Sequence, residues 1–246
     1  MRVIIPAAGK GSRLSKAPDA PPKAMYRIGG KPLLEIVLEQ TSFIPPEETW
    51  IVVGFKQEEI RAYFGNSRHY VEQREQLGTG HAVMMCAGDF RDYEGTVMVT
   101  FGDMPLFRRE SMRDLCLFHE SRHAACTVLT ARNPELTMWA RIVTDEKGRF
   151  REIVEGKDCT PEQAKIPELC AGVFVFDSRQ LFRYLPKLSD ANVQHEYYLT
   201  EVPALMAADG LPVLTFPTEN KDDLRGINTP EDVVVCEKIL RARGIL

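Results

Sequence analysis

The loop behind the first apolar run reads AAGKGSRL, residues 7–14, with Gly9 and Gly11 two positions apart and Arg13 close behind. Backbone without side chains lets N–H groups approach an anion closely. Arg13 adds a forked donor, and Lys23 in PPKAM adds a point charge that can reach the same mouth of a sheet. Together they suit a triphosphate whose charge must be screened during attack. A Walker A loop is excluded, because the lysine precedes the second glycine instead of following it. A dinucleotide fingerprint fails as well: Leu14 stands where the third glycine belongs, and Pro18, Pro21 and Pro22 prevent a long helix from starting there. Beside the phosphate reading stands a glycine turn without a ligand.

Asp103, in TFGDMPL, directly follows an apolar run that ends at Phe101, and α/β sheets bind ligands at that carboxyl edge. A carboxylate there is either the N-cap of the next helix or a metal ligand. HESRH, residues 119–123, spells H-E-x-x-H, which on a helix sets His119 and His123 one turn apart beside Glu120, as in zinc peptidases. The preceding MRDLCLF instead makes these histidines the end of an amphipathic helix, a position the macrodipole favours for cations, so zinc is not expected. His69, His81 and His195 read as structural or surface residues.

An α/β scaffold is needed to position these groups, and the pattern supplies one. RVII (2–5), TWIVVGF (49–55), RHYVEQ (68–73) and GTVMVTF (95–101) predict strands. They alternate with helices over residues 32–43 and 57–64, from Thr79 onward, and from about Glu110 to His123. The alternation predicts a Rossmann-like, doubly wound, mostly parallel sheet. AACTVLTAR, ARIVTD, GRFREIVEG and LCAGVFVFD then read as strands joined by short turns, a smaller mixed-sheet half. Helices in YLTEVPALMAADG and PEDVVVCEKILRARG close the chain around a strand near residues 212–216. The expectation is a single domain over 1–246, with a nucleotide-binding half to about residue 130 and a second half, with the closing helices, after it.

Bulk properties narrow the function classes. With 31 Lys+Arg against 35 Asp+Glu in 246 residues, the formal charge of -4 offers no uniform basic field for nucleic acid or an anionic membrane. The six cysteines (Cys86, Cys116, Cys126, Cys159, Cys170, Cys236) form no C-x-x-C pair and read as reduced, mostly core thiols. Met1-Arg2 runs straight into a strand without an apolar signal region, and no apolar stretch approaches the roughly 20 residues that span a bilayer. The expected location is cytoplasmic, with no membrane or nucleic-acid partner.

AAGKGSRL followed by PPKAM resembles the signature G-x-G-[ST]-R-x…P-K of the sugar-phosphate nucleotidyltransferases. EQLGTGHAV, FGDMPL, RIVTDEKGRFREIVEGKD, EYYLTEVPAL and GIN, in that order, resemble the uridylyltransferase domain of the bacterial bifunctional N-acetylglucosamine-1-phosphate uridylyltransferase/acetyltransferases. The resemblance spans Val3 to Val235. It implies a nucleoside triphosphate and a sugar 1-phosphate as partners, with Arg13, Lys23 and Asp103 catalytic. It assigns Mg²⁺ to Asp103 and Asn228, the base and triphosphate to Ala7, Ala8, Gly9, Gly11, Gln73, Gly78 and Gly102, and the sugar to Thr79, Glu155 and the backbone near Ala140. Gln73 suits its role physically, since an amide carries a donor and an acceptor side by side. Lys157 is a further candidate for the sugar phosphate. The implied reaction is attack by the sugar phosphate on the α-phosphorus of the NTP, most simply UTP, with release of pyrophosphate.

Both departures from the family pattern fall on the sugar side. Cys170 stands in LCAGVFVF where the family has an asparagine that contacts sugar hydroxyls, and Ala140 stands where it has glycine. A thiol is a poor replacement for an amide as a hydrogen-bonding group. The loop between Arg13 and Lys23 is longer than the family's, and the chain ends at Leu246, so acetyl transfer is not expected of it. Two other readings stay open: a cytidylyl- or thymidylyltransferase acting on another phosphorylated sugar or alcohol, and a non-catalytic regulator that keeps the fold and binds sugar nucleotides.

Overall fold

The structure, a computed structural model, describes residues 1–133, 136 and 138–246. Eleven strands and seven α-helices follow one another along the described residues: β1 (Arg2–Pro6), β2 (Arg27–Ile28), β3 (Lys31–Pro32), α1 (Leu33–Gln40), β4 (Thr49–Val53), α2 (Gln57–Phe64), β5 (His69–Glu72), α3 (Thr79–Met84), β6 (Thr96–Val99), α4 (Arg109–Arg122), β7 (Cys126–Arg132), β8 (Arg141–Thr144), β9 (Phe150–Val154), β10 (Glu168–Asp177), α5 (Ser178–Tyr184), α6 (Glu201–Ala208), β11 (Val213–Pro217) and α7 (Pro230–Ala242).

Seven strands form the spine of one sheet in the order β11-β7-β10-β6-β1-β4-β5, with β8 and β9 branching from β10. β5, β4, β1 and β6 are mutually parallel, as are β11 and β7, while β10 runs antiparallel to both of its neighbours. The chain leaves β1 for β4 and β5 on one side and returns to β6 on the other. That reversal makes the carboxyl end of β1 the switch point where a crevice opens.

Helices cover both faces, which is why the central strands read as continuous apolar runs. Ile4, Val97 and Val99 point into one core, and Val3, Ile5 and Met98 into the other, by the two-residue alternation of a strand. A third apolar cluster, including Leu14, Ile28, Leu33, Leu106, Ile227 and Leu240, seats α7 against the first part of the chain.

The strand and helix order matches the sequence expectation, with three differences. The short strands β2 and β3, which were not expected, pair with each other as a separate two-stranded sheet. The two halves share one sheet, because β10 is inserted between β6 and β7. SRQLFRY forms α5, a helix that its short apolar period does not announce; Asp177 caps it by accepting from the Gln180 N–H at 2.9 Å. The helix expected from Thr79 continues past Met84 as a 3₁₀ turn over Met85–Gly88. No helix among the described residues is long and apolar enough to cross a membrane.

Candidate active site

A cleft of about 340 Å³ opens over the carboxyl ends of β1, β5 and β6. Ala7, Ala8, Gly9, Gly11, Arg13, Lys23, Gln73, Gly78, Gly102, Asp103 and Asn228 all line it. Thus the glycine loop after β1, the turn after β5, the turn after β6 and the segment before α7 converge on one space. The Ala7 N–H bonds to Val52 O and the Ala8 carbonyl accepts from the Phe55 N–H, so the loop is pinned to β4. Among the described residues no protein acceptor meets the N–H groups of Ala8 and Gly9.

Four charged or polar side chains meet at one end of the cleft. Lys23 Nζ donates to Asp103 Oδ2 and, over 2.9 Å, to Asn228 Oδ1; Arg13 Nη2 donates to the same Asn228 oxygen at 2.9 Å. Lys23 lies in a 3₁₀ turn, Lys23–Met25, with its N–H on Gly9 O. Gly11 sits at φ +71°, and a methyl on its Cα would lie 3.2 Å from Lys23 Cβ, so loop and lysine pack together only with glycine there.

Neither Asp103 nor Asn228 caps a helix. The N-cap of α4 is Arg108, five residues beyond Asp103, and the N-cap of α7 is Thr229 in a capping box with Asp232. The Asp103 carboxylate and the Asn228 amide are therefore both free of helix capping and turned to the cleft. The backbone links them as well, since the Ile227 N–H donates to Asp103 O at 2.9 Å.

At the other end Gln73 is buried, and its Nε2 donates to Gly78 O at 3.1 Å and lies 3.0 Å from His81 Nδ1. Its donors are thus held by the protein, and Oε1 is left as the acceptor at the cleft wall. His81, expected to be structural or superficial, is structural: from the first turn of α3 its ring holds the Gln73 amide at the cleft wall. Gly78 has φ +111°, and a Cβ there would lie 2.6 Å from Tyr197 O. The segment carrying Tyr197 straps this turn: Gly80 N–H donates to Tyr197 O, Tyr197 N–H to Leu77 O, and Leu199 N–H to Thr79 Oγ1. Gln76, Phe101 and Glu196 also line the cleft and carried no signal in the sequence.

A second pocket of about 270 Å³ shares Thr79, Phe101 and Asp103 with the first and adds Ala140, Glu155, Cys170, Trp139 and Thr200. It lies where β8 and β9 leave the sheet, beside a break in the β10–β7 register between Cys170 and Phe174. Glu155 accepts from Thr200 Oγ1 at 2.8 Å, and burial pushes its carboxyl above the usual range, partly offset by that hydroxyl. The Cys170 thiol is buried, and its pKa is pushed up to about 12 by that burial, so it stays a neutral, weakly polar wall.

Lys157 is not brought into this pocket; its Nζ bonds to Gln194 Oε1 on the surface. The H-E-x-x-H histidines diverge. His119 turns into the core against Thr127 Oγ1 at 2.9 Å, where burial lowers its pKa to about 4, while His123 leaves the helix in a left-handed cap. Glu120 accepts from Thr96 Oγ1. No group of three or more His, Cys, Asp or Glu among the described residues is arranged to hold a metal.

The profile of the MobA-like NTP transferase domain matches residues 3–220. The chain belongs to that family. It is 38% identical over 240 residues to the bifunctional protein GlmU of Levilactobacillus brevis, covering 98% of this chain and 52% of that protein. It is 37% identical over 240 residues to GlmU of Geobacillus thermodenitrificans, with the same coverage. The chain therefore spans about half the length of the curated relatives it matches. Its fold also resembles that of UDP-glucose pyrophosphorylase solved with UDP-glucose: TM-score 0.78 over 98% of both chains, at 17% identity. The apo form of a UDP-glucose pyrophosphorylase gives the same TM-score, 0.78, at 18% identity.

Proposed function

We propose that the protein is a Mg²⁺-dependent nucleotidyltransferase that joins an NTP, foremost UTP, to a sugar 1-phosphate, foremost N-acetylglucosamine 1-phosphate, giving an NDP-sugar and pyrophosphate. One observation carries this reading: Arg13, Lys23, Asp103 and Asn228, from distant parts of the chain, meet in a cleft that shares Thr79, Phe101 and Asp103 with the Glu155 pocket. Membership of the NTP transferase family, the match to GlmU and the shared fold with UDP-glucose pyrophosphorylase support it.

The donor set fits a metal ion. A carboxylate oxygen of Asp103 and an amide oxygen of Asn228 converge on the Lys23 ammonium, so a cation is already accommodated between two hard oxygen donors. Mg²⁺ favours such partial protein ligation, with phosphates and water completing its shell. When bound there it would neutralise charge on the triphosphate and leaving group.

The chain's own residues do the rest. Ala8 and Gly9 N–H groups and Gln73 Oε1 orient the nucleotide, and Arg13 and Lys23 offset phosphate charge. Glu155 and Thr200 orient the acceptor from the adjoining pocket, so that its phosphate oxygen approaches the α-phosphorus from the side shared by Thr79 and Asp103. That oxygen forms the new bond, the bond from the α-phosphorus to the β-phosphate bridging oxygen breaks, and pyrophosphate carries the electron pair away. A sugar phosphate is anionic at neutral pH, so no general base is needed. In this reading residues to about 130 chiefly hold the nucleotide and later ones the acceptor, with Asn228 returning to the nucleotide side.

Cys170 and Ala140 favour a second reading for the acceptor alone, since the wall they share with Trp139, Phe101 and Phe174 offers little hydrogen bonding. Pyrophosphate release with Mg²⁺, measured with each NTP against a panel of sugar 1-phosphates and phosphorylated alcohols, tests both. Turnover with UTP and N-acetylglucosamine 1-phosphate supports the first reading, and turnover with another pair only, the second. Nucleotide binding without any turnover would favour a regulator and overturn the enzyme assignment.

A further inference from the structure

Among the described residues, Lys23 is the cation that touches both oxygen donors of the proposed metal site. Mg²⁺ would use those same two oxygens, and an ammonium group and a divalent ion cannot occupy them together, because like charges at contact distance repel strongly. Lys23 also lines the wall where phosphates are proposed to lie. One ammonium therefore has two competing positions.

We propose that Lys23 is an intramolecular surrogate for the metal: it holds Asp103 and Asn228 together until a metal–triphosphate complex displaces it, and its charge then moves onto the phosphates. The proposal rests on the nucleotidyltransferase reading for the second half of that exchange and on the Lys23 contacts for the first. Movement is confined to the side chain, because the Lys23 N–H is fixed on Gly9 O and its carbonyl accepts from Tyr26 N–H. Gly11 leaves space beside the stem; a Cβ there would lie 3.2 Å from Lys23 Cβ and 3.4 Å from Cγ.

The surrogate makes metal and nucleotide depend on one another. A free divalent ion must expel a bonded ammonium that has no new partner, so it binds poorly by itself. A triphosphate supplies that partner, and by linkage whatever assists the nucleotide in taking Lys23 assists the ion equally. An empty site that resists free metal also avoids trapping the ion without its substrate.

The test is Mn²⁺ binding to nucleotide-free protein by titration calorimetry, with circular dichroism confirming the fold of each variant. Lys23→Met is expected to bind Mn²⁺ at least tenfold more tightly than the wild type, although it loses turnover. Adding Asp103→Asn to that variant is expected to remove the gain. Lys23→Arg, which keeps the charge, is expected to stay as weak as the wild type. If Lys23→Met does not fold, Lys23→Gln reads the same quantity. Equal or weaker Mn²⁺ affinity in the folded, uncharged variant overturns the proposal. So does an equal gain from Lys10→Met, which removes a cation of the same loop that bonds neither donor. Pyrophosphate release by the wild type is scored separately: its absence overturns the nucleotidyltransferase reading, whereas the nucleotide-free ratio alone decides the Lys23 exchange.

Discussion

Asp223 offers a perturbation whose size follows from the structure. It is fully buried, accepting from Thr218 Oγ1 at 3.2 Å and from Asn220 Nδ2, with the Arg243 guanidinium 4.0 Å away. Arg243 Nη1 also donates to Leu106 O at 2.5 Å, and Thr218 N–H to Thr130 O at 2.7 Å, so the network clamps the segment that leads to Asn228. Burial outweighs the arginine and raises the Asp223 pKa from 3.8 to about 6. Between those values the folded protein holds a proton that the unfolded chain has released, so stability falls as pH rises through the window and levels off above it. The full displacement is worth ~3 kcal/mol. Asp223→Asn removes the titration at constant shape, leaving an offset from altered hydrogen bonding to Asn220. Urea unfolding of both proteins from pH 4 to pH 7 is expected to move their stability difference by ~2–3 kcal/mol in favour of the variant. A difference that is flat with pH, or that moves toward the wild type, would refute the claim that desolvation dominates over Arg243.

Other predictions bear on the site itself. Arg13→Ala should lower kcat/KM by roughly 10²–10³-fold with the melting temperature unchanged within about 2 °C, because Arg13 is exposed and, among the described residues, bonds only Asn228. Gln73→Leu keeps the bulk but leaves Gly78 O and His81 without their partner; discrimination between UTP and CTP should drop by about 10–100-fold, read from the ratio of their kcat/KM values. Gly78→Ala sets a methyl 2.6 Å from Tyr197 O at φ +111° and should cost about 1–3 kcal/mol in chemical denaturation. Because burial raises the Glu155 pKa, the KM for acceptor should begin to climb with acidification at a higher pH than an ordinary glutamate would cause. Glu155→Gln should abolish that acid limb in a pH profile of acceptor kcat/KM, and an unchanged profile would remove Glu155 from acceptor binding.

Much of the scaffold was legible because its signals are local. QEEIRAYF reads as a helix and is α2 residue for residue, and the apolar runs at 2–5 and 49–55 hold strands, Arg2–Pro6 and Thr49–Val53, buried on both faces. α5 was not legible, since seven residues show too little of a helical period and its cap, Asp177, is the last residue of β10. The glycine loop pointed to the cleft because Gly9, Gly11 and Arg13 are neighbours in the chain, and all three line it. Asn228 carries no such signal by itself, since a residue just before TPEDVVVCEKIL fits the cap of a helix equally well. His81 was passed over for a similar reason: nothing in the sequence shows that its ring lies against the amide of Gln73, eight residues earlier.

By itself the sequence determined the order of elements, the loop chemistry at Gly9, Gly11 and Arg13, and the lack of a basic field, since each depends on nearby residues or on simple counts. Tertiary structure decided that Lys23 bonds Asp103 and Asn228 at once, that Thr229 and not Asn228 caps α7, and that the Glu155 pocket shares Thr79, Phe101 and Asp103 with the cleft after β1. Those facts join residues 80 and 205 positions apart. Local propensity and spacing carry no distance information over such separations; only the sheet order around β1 and the packing of α7 on the first part of the chain supply it.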